Sequence, residues 1–179
     1  ADSYLGAEIF TGHFEPRERL FFNLFLQPGE IFVDVGANIG LFSLIAARCV
    51  GTSGKVFAFE PHPGAAERFR ENVQINALTN VVLQQYALSD HTGDLVLGLK
   101  DDDSLSAVQS TQNPVIIGET APVHAICWDD FALQQGLIGK VTLMKIDVEG
   151  WEMHVVNGAQ QMLSAPDAPT IQIEFNDNA

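Results

Sequence analysis

Apolar residues fall along this chain in short continuous blocks, set apart by glycine, proline and polar turns. Blocks of four to eight apolar residues between turn signals read as strands buried on both faces. Longer stretches with apolar positions three and four apart read as helices. IFVDV (31–35) predicts a strand and LFSLIAARCV (41–50) an apolar helix; KVFAF (55–59) is the next strand, after the turn GTSGK. In PGAAERFRENVQINAL (63–78), Ala66, Phe69, Val73 and Ala77 share a helical face and Pro63 stands near its start. VVLQQY (81–86) and DLVLGL (94–99) predict strands, and 100–113 a polar loop. PVHAI (122–126) then predicts a strand, DDFALQQG (129–136) a short helix and VTLMKIDV (141–148) another strand. WEMHVVNGAQQMLS (151–164) is helical in spacing through Trp151, Val155, Ala159 and Met162, and TIQIEF (170–175) is a last strand.

Strands alternating with helices over short loops predict an α/β fold, a mostly parallel sheet with helices on both faces. Ligands of such sheets sit beyond the carboxyl ends of the strands, at the point where the strand order reverses. The residues ending each strand should therefore converge: Asp34 and Gly36, Glu60, Tyr86 and Ala87, Asp147 and Glu149, Glu174 and Asn176.

Bulk properties narrow the partners. The chain has 179 residues, 46% of them hydrophobic, enough for one domain with a full core. No apolar run nears the roughly 20 residues of a membrane span, and ADSYLGAEIF at the start lacks the basic and apolar regions of a signal peptide. A net charge of −14 with nine Lys plus Arg argues against nucleic acid and anionic membranes as partners. The acidity reads as a solubilising surface, and the run Asp101, Asp102, Asp103 as a solvated loop. Two distant cysteines, Cys49 and Cys127, make no disulfide framework, so a reducing, cytoplasmic setting is the default; Cys49 reads as a small core residue.

The turn after the first strand carries the chemistry. A hydride-transfer domain reads G-x-G-x-x-G there, but Gly36-Ala-Asn-Ile-Gly40 lacks the middle glycine, and Asp34 would meet an incoming pyrophosphate with like charge. A phosphate loop would need a Gly-Lys-Ser/Thr ending that is absent. The turn suits a ligand with a cationic aminoacyl end, a ribose and no phosphate, which is S-adenosylmethionine. Glu60 ends the next strand about 24 positions after Gly36, near the interval at which such folds place a ribose-binding acid. The bland alternative for Gly36 and Gly40 is a tight turn that binds nothing.

VDVGANIG, FAFEPHP, ENVQINALTNVVLQQYALSDHTGDLVL, KIDVEGWEMHVVNGAQQML and IQIEF follow one another as in the FkbM-type S-adenosylmethionine-dependent methyltransferase family, which the chain resembles from FTGHFEP onward. The resemblance implies a class I methyltransferase fold, Rossmann-like, acting on oxygen of a sugar, polyketide or similar metabolite. It implies that Asp34, Gly36, Asn38 and Gly40 form the first cofactor loop and that Glu60 holds the ribose. Pro61 and His62 would lie near the adenine, Ala87 and Leu88 would flank it, and Asp147 would sit beside the methionine portion and the substrate. Class I members usually end in an antiparallel strand pair after the IQIEF strand. This sequence stops at NDNA, so the C-terminal strand pair is expected to be absent from it: either a further segment belongs to the protein or one pocket wall comes from elsewhere. Residues 1–30 are expected as an N-terminal segment, with His13, Phe14 and Glu15 in a lid over the cofactor, and 31–179 as the S-adenosylmethionine-binding domain.

A hydroxyl nucleophile must lose its proton as it attacks the methyl carbon. Asp147 and Glu149 are the catalytic candidates, against a helix N-cap role for Asp147 and a helix-dipole role for Glu149. Lys145 either pairs with a nearby acid or snorkels at a sheet edge. His91, His124 and His154 show no partner pattern. Asp147, Glu149 and Glu174 could gather around Mg²⁺, but as polar contacts they suffice without one, so no metal ligand is assigned. The expected acceptor is a small molecule with a hydroxyl; the sequence is silent on its identity and on oligomeric state. A cofactor-binding scaffold without turnover and an NAD-dependent oxidoreductase stay open as alternatives.

Overall fold

The computed structural model describes residues 13–98, 107–109 and 120–174. The described residues form a five-stranded parallel sheet in the order β3-β2-β1-β8-β9. Its strands are β1 (Ile31–Val35), β2 (Lys55–Phe59), β3 (Val81–Gln84), β8 (Leu143–Ile146) and β9 (Thr170–Ile173). β1 lies at the centre, where chain order reverses: β2 and β3 follow on one side, β8 and β9 on the other. Three helices precede or connect the first strands: α1 (Pro16–Phe25), α2 (Leu41–Val50) and α3 (Pro63–Ile75).

Alternation along the strands sorts side chains onto two faces. One carries Phe32, Val56 and Leu143 against Phe22 of α1, Leu26 just after it, and Phe42, Ala46, Ala47 and Val50 of α2. The other carries Val33, Val35, Phe57, Phe59, Met144 and Ile146. That second face packs on α4 (Trp128–Gln135), α5 (Glu152–Asn157) and α6 (Gln160–Ser164) through Trp128, Phe131, Val155 and Met162. Leu95, Leu97, Val123 and Ala125 of a smaller sheet belong to the same core.

That smaller sheet departs from expectation. It runs β4-β7-β5-β6, comprising β4 (Ala87–Ser89), β5 (Gly93–Gly98), β6 (Ala107–Gln109) and β7 (Thr120–Cys127). β5 pairs antiparallel with β6 and β7, and β4 parallel with β7. The expected strand 81–86 therefore stops at Gln84, and Ala87–Ser89 leaves the main sheet for the second one. The polar loop expected over 100–113 contains β6; its remaining residues, Asp101–Asp103 included, lie outside the described residues, as does Asn176.

The helix expected over 151–164 is two helices. Gly158 comes so close to the β4–β5 turn that a Cβ there would stand 1.9 Å from the Ser89 carbonyl oxygen. The Gly158 carbonyl accepts from the Asp129 amide at 3.0 Å. The Asp129 carboxylate then accepts from the amides of Gln161 (2.7 Å) and Met162 (3.1 Å). An acid from a different helix thus satisfies the free N–H groups that open α6. α3 stops at Ile75 rather than 78, where Ala77 turns left-handed (φ 51°) and the Leu78 amide reaches back to the Val73 carbonyl. Cys49 is partly buried against the α1–α2 core, and both cysteines are free thiols.

Candidate active site

The β1–α2 loop is folded by two glycines and a carboxylate. Gly36 has φ 80°, and a Cβ on it would lie 1.8 Å from the Asp147 carbonyl oxygen; only glycine lets the two loops meet. Gly40 has φ 94°, with the Phe69 ring 2.7 Å from where a Cβ would be. The amides of Gly36 and Ala37 both donate to the Phe59 carbonyl at 3.0 Å, which ties the loop to the end of β2. Asn38 also sits left-handed (φ 49°). Its side-chain Oδ1 is buried with no partner, an orphan acceptor that calls for a ligand or water.

Glu60 ends β2 and is buried. Its Oε2 accepts from the Asn38 amide and its Oε1 from the His62 amide, each at 2.8 Å. Burial nevertheless dominates, pushing the carboxyl from its ordinary value up to about 7 against those two donors. His62 caps α3, its Nδ1 accepting from the Ala65 amide at 3.1 Å, with Pro63 in the first turn.

The other polar residues lie on the α1–α2 face of the sheet. Asp34 and Lys145 are register partners on adjacent strands, and Gln172 is the register partner of Lys145 on its other side. Asp34 is 1% exposed and accepts from Ser43 Oγ at 2.6 Å; burial holds its pKa above the ordinary carboxylate value, while Lys145 and Ser43 pull the other way. Lys145 is 3% exposed, donates to Asp147 Oδ2 at 2.6 Å and stands 4.9 Å from the centre of the Phe42 ring. Burial works against its ammonium, yet Asp147, Asp34 and Glu15 outweigh it and hold its pKa above the usual lysine value. Its strand is flanked by β1 and β9, so the ion-pair expectation holds and the sheet-edge one does not.

Asp147 does not cap a helix. α5 starts at Glu152 with Trp151 in the cap position, leaving Asp147 outside the helix and free to pair with Lys145. Glu149 lies in the intervening loop with φ 53°. The acid that organises this loop is Glu152, whose Oε1 accepts from the Gly150 amide at 2.9 Å and more weakly from Val148 at 3.4 Å. Two further acids face Lys145. Glu15, left-handed at the start of α1, is pushed up to about 7, by burial first and then by Glu174 and Asp147, although Lys145 opposes. Burial and Asp147 raise Glu174 as well. Orphaned buried oxygens, Glu15 Oε2 and Gln172 Oε1, mark this patch too. Among the described residues no three His, Cys, Asp or Glu side chains are arranged to hold a metal ion, so Asp147, Glu149 and Glu174 form no such group.

On the opposite face of the same strand ends is a narrow slot of ≈ 20 Å³, space for about one water. Val35, Gly36, Phe59, Pro61, Ala87 and Leu88 line it, joined by Tyr86, Val148 and Trp151. The structure thus gathers Gly36, Pro61, Ala87 and Leu88 at one place, and keeps His62 at the helix cap. Trp151 is the lining residue that sequence reasoning missed, because it counts equally well as a core position of a helix. A larger cleft of ≈ 390 Å³ lies among α1, α2 and α3, lined by Arg19, Leu44, Arg48 and Asn72 among others, and includes none of the strand-end acids. No described helix is long and apolar enough to cross a membrane.

Known proteins resemble this chain. The Hexuronic acid methyltransferase AglP of Haloferax volcanii is 30% identical over 147 residues, 82% of this chain and 57% of that protein. The 31-O-demethyl-FK506 methyltransferase FkbM of Streptomyces tacrolimicus is 28% identical over 184 residues, 88% of this chain and 68% of its own length. The chain thus spans under three fifths of the first of these relatives. A crystal structure of Methyltransferase FkbM from Methylobacillus flagellatus superposes with a TM-score of 0.56 at 16% identity, over 97% of this chain and 44% of that one, and shares the fold. The family model described as the Methyltransferase FkbM domain matches residues 34–179, starting at Asp34 within β1 and running through both strand-end loops, so the chain belongs to the FkbM methyltransferase domain family.

Proposed function

We propose that this domain binds S-adenosylmethionine and transfers its methyl group to a hydroxyl of a small metabolite. The observation that carries the reading is the buried Glu60 carboxylate beside the Gly36–Gly40 loop, with unsatisfied Asn38 Oδ1 next to it. Each Glu60 oxygen accepts one backbone N–H and keeps a lone pair for a ribose hydroxyl. Asp34, Glu15, Asp147 and Glu174 gathered around Lys145 make an acidic surround suited to a ligand carrying positive charge. The cofactor supplies a methyl group already activated on a positive sulfonium.

The chain's own residues then have distinct tasks. Asp34, Gly36, Asn38 and Gly40 shape the first loop, and Glu60 orients the ribose. Pro61, His62, Ala87 and Leu88 stand nearest the nucleoside base, which closes over the mouth of the slot. Asp147 and Glu149 take the acceptor's hydroxyl proton in this reading, with Lys145 orienting Asp147. The N-terminal segment, from which Glu15 faces Lys145, acts as the cover of the cofactor. Oxygen as the acceptor atom is supported by the relative named for 31-O-demethyl-FK506, and a sugar-like acceptor by the one named for a hexuronic acid.

Calorimetric titration with S-adenosylmethionine and S-adenosylhomocysteine tests the reading. Micromolar binding is expected, weakened at least about 30-fold in Glu60→Ala, since two charge-assisted hydrogen bonds to the ribose disappear. If neither compound binds or raises the unfolding temperature, the cofactor assignment is wrong.

A further inference from the structure

The turn after β4 and the start of α5 form a closed ring of polar contacts behind the slot. Asp90 Oδ2 meets His154 Nδ1 at 2.8 Å, and the His154 imidazole lies flat on the Trp151 indole, centroids 3.7 Å apart and planes within 16°. Asp90 Oδ1 accepts from Ser89 Oγ at 3.2 Å, and Ser89 Oγ accepts from Trp151 Nε1 at 3.3 Å. The indole is therefore held on its face by one partner of Asp90 and at its N–H by another. His91 Nδ1 adds a third contact to the carboxylate at 2.6 Å. With hydrogen bonds from His91 foremost, the Asp90 carboxyl is held down near 2, so it is ionised and acceptor-only, and both imidazoles must donate from Nδ1. Trp151 itself is buried and lines the slot with Gly36, Pro61, Ala87 and Leu88.

We propose that Asp90, acting through His154 and Ser89, is a positioning residue that fixes the Trp151 indole as the wall of the cofactor slot. The inference rests on the S-adenosylmethionine reading above. Asp90 does not line the slot. It sets the plane of an aromatic wall, and a nucleoside base stacks well only on a wall of fixed plane. The ring also gives a use to His154, a polar residue of α5. An indole packed on a core needs neither a stacked imidazole nor an ionised carboxylate behind it.

The test uses the 179-residue chain and titrates S-adenosylhomocysteine by calorimetry well below the unfolding temperature. Asp90→Ala and His154→Ala should each weaken binding about tenfold, the scale of one well-made aromatic contact. Because they act along one path, the double variant should bind no more weakly than either alone. Asp90→Asn, which keeps an acceptor oxygen, should fall between wild type and Asp90→Ala. In the proton–nitrogen spectrum Asp90→Ala should shift the Trp151 indole N–H and speed its exchange, while the signal of Trp128 stays in place. His154→Ala carries the same comparison if Asp90→Ala fails to fold. Wild-type binding in an Asp90→Ala chain that is folded, or losses that add in the double variant, overturns this inference alone. A wild-type chain that binds neither compound overturns the cofactor reading and this inference with it.

Discussion

The two faces of the same parallel strands are built on opposite terms. Toward α4 and α5, Val33, Val35, Phe57, Phe59, Met144 and Ile146 present only carbon and sulfur, and the aromatic rings meet edge to face, Phe59 with Phe131 at 5.1 Å and with Trp128 at 6.0 Å. Toward α1 and α2, the apolar residues Phe32 and Leu143 give way one pleat later to Asp34 and Lys145. A strand can therefore be a core element for its first residues and a site element for its last. On the first face stability comes from burial, which is indifferent to pH. On the second it depends on charges that must compensate one another in a site shielded from water.

Breaking the apolar face should have the largest effect. Phe59→Ala removes a fully buried ring and should cost about 3–5 kcal/mol in urea unfolding, equally at pH 5 and pH 8. The matching change on the other face is Lys145→Met, which fills similar space but leaves Asp34 and Asp147 without their cation. At pH 8 a loss of about 3 kcal/mol is expected. The loss should shrink as pH falls, because burial raises the Asp34 and Glu174 carboxyls above their ordinary values and favours their neutral forms. A pH-independent loss would mean that Lys145 contributes mainly by packing.

Glu60 sharpens the contrast in the unmodified chain. Its pKa is higher in the folded state (about 7) than in the unfolded one (4.5), so the folded state binds more protons between those values. Stability should be greatest near the lower end of that window and fall as pH rises through 7. The fall is on the order of 2–3 kcal/mol from this group. Glu15 adds to the slope in the same direction. Glu60→Gln should flatten it, and a slope unchanged in that variant would assign it to other acids. Cofactor affinity should run the other way, weakening as pH falls below 7, because ribose hydroxyls prefer the ionised carboxylate. The smallest change is Ser43→Ala, which takes away the 2.6 Å hydrogen bond to Asp34 and should cost about 1–2 kcal/mol at pH 8.

How much of this could be read from residue order depended on whether neighbours in sequence or neighbours in space decided it. β1, β2 and α2 begin and end where their apolar blocks do, because a central parallel strand is buried on both sides and has no other way to read. Gly36, Gly40 and Glu60 were legible because a tight turn and a strand-ending acid are local requirements. β4 was not, since nothing within VVLQQYALSD marks the point where the chain changes sheets; its pairing with β7 is settled more than thirty residues later. The break in 151–164 was hidden because Trp151, Val155, Ala159 and Met162 keep helical spacing across it, and the acid that opens α6 comes from α4. A cap role stood as the alternative for Asp147 because Asp commonly is one, whereas Lys145 claims it from two residues away.

The approach of Gly36 to the Asp147 carbonyl, closer than any side chain would permit, bears on how the domain can be altered. The loops after β1 and β8 lie more than a hundred positions apart in sequence, yet at their meeting point they behave as one part. An exchange of the 147–150 segment with a relative should carry the 36–40 turn along with it. The two loops are then a single unit of exchange, to be moved together and not one at a time.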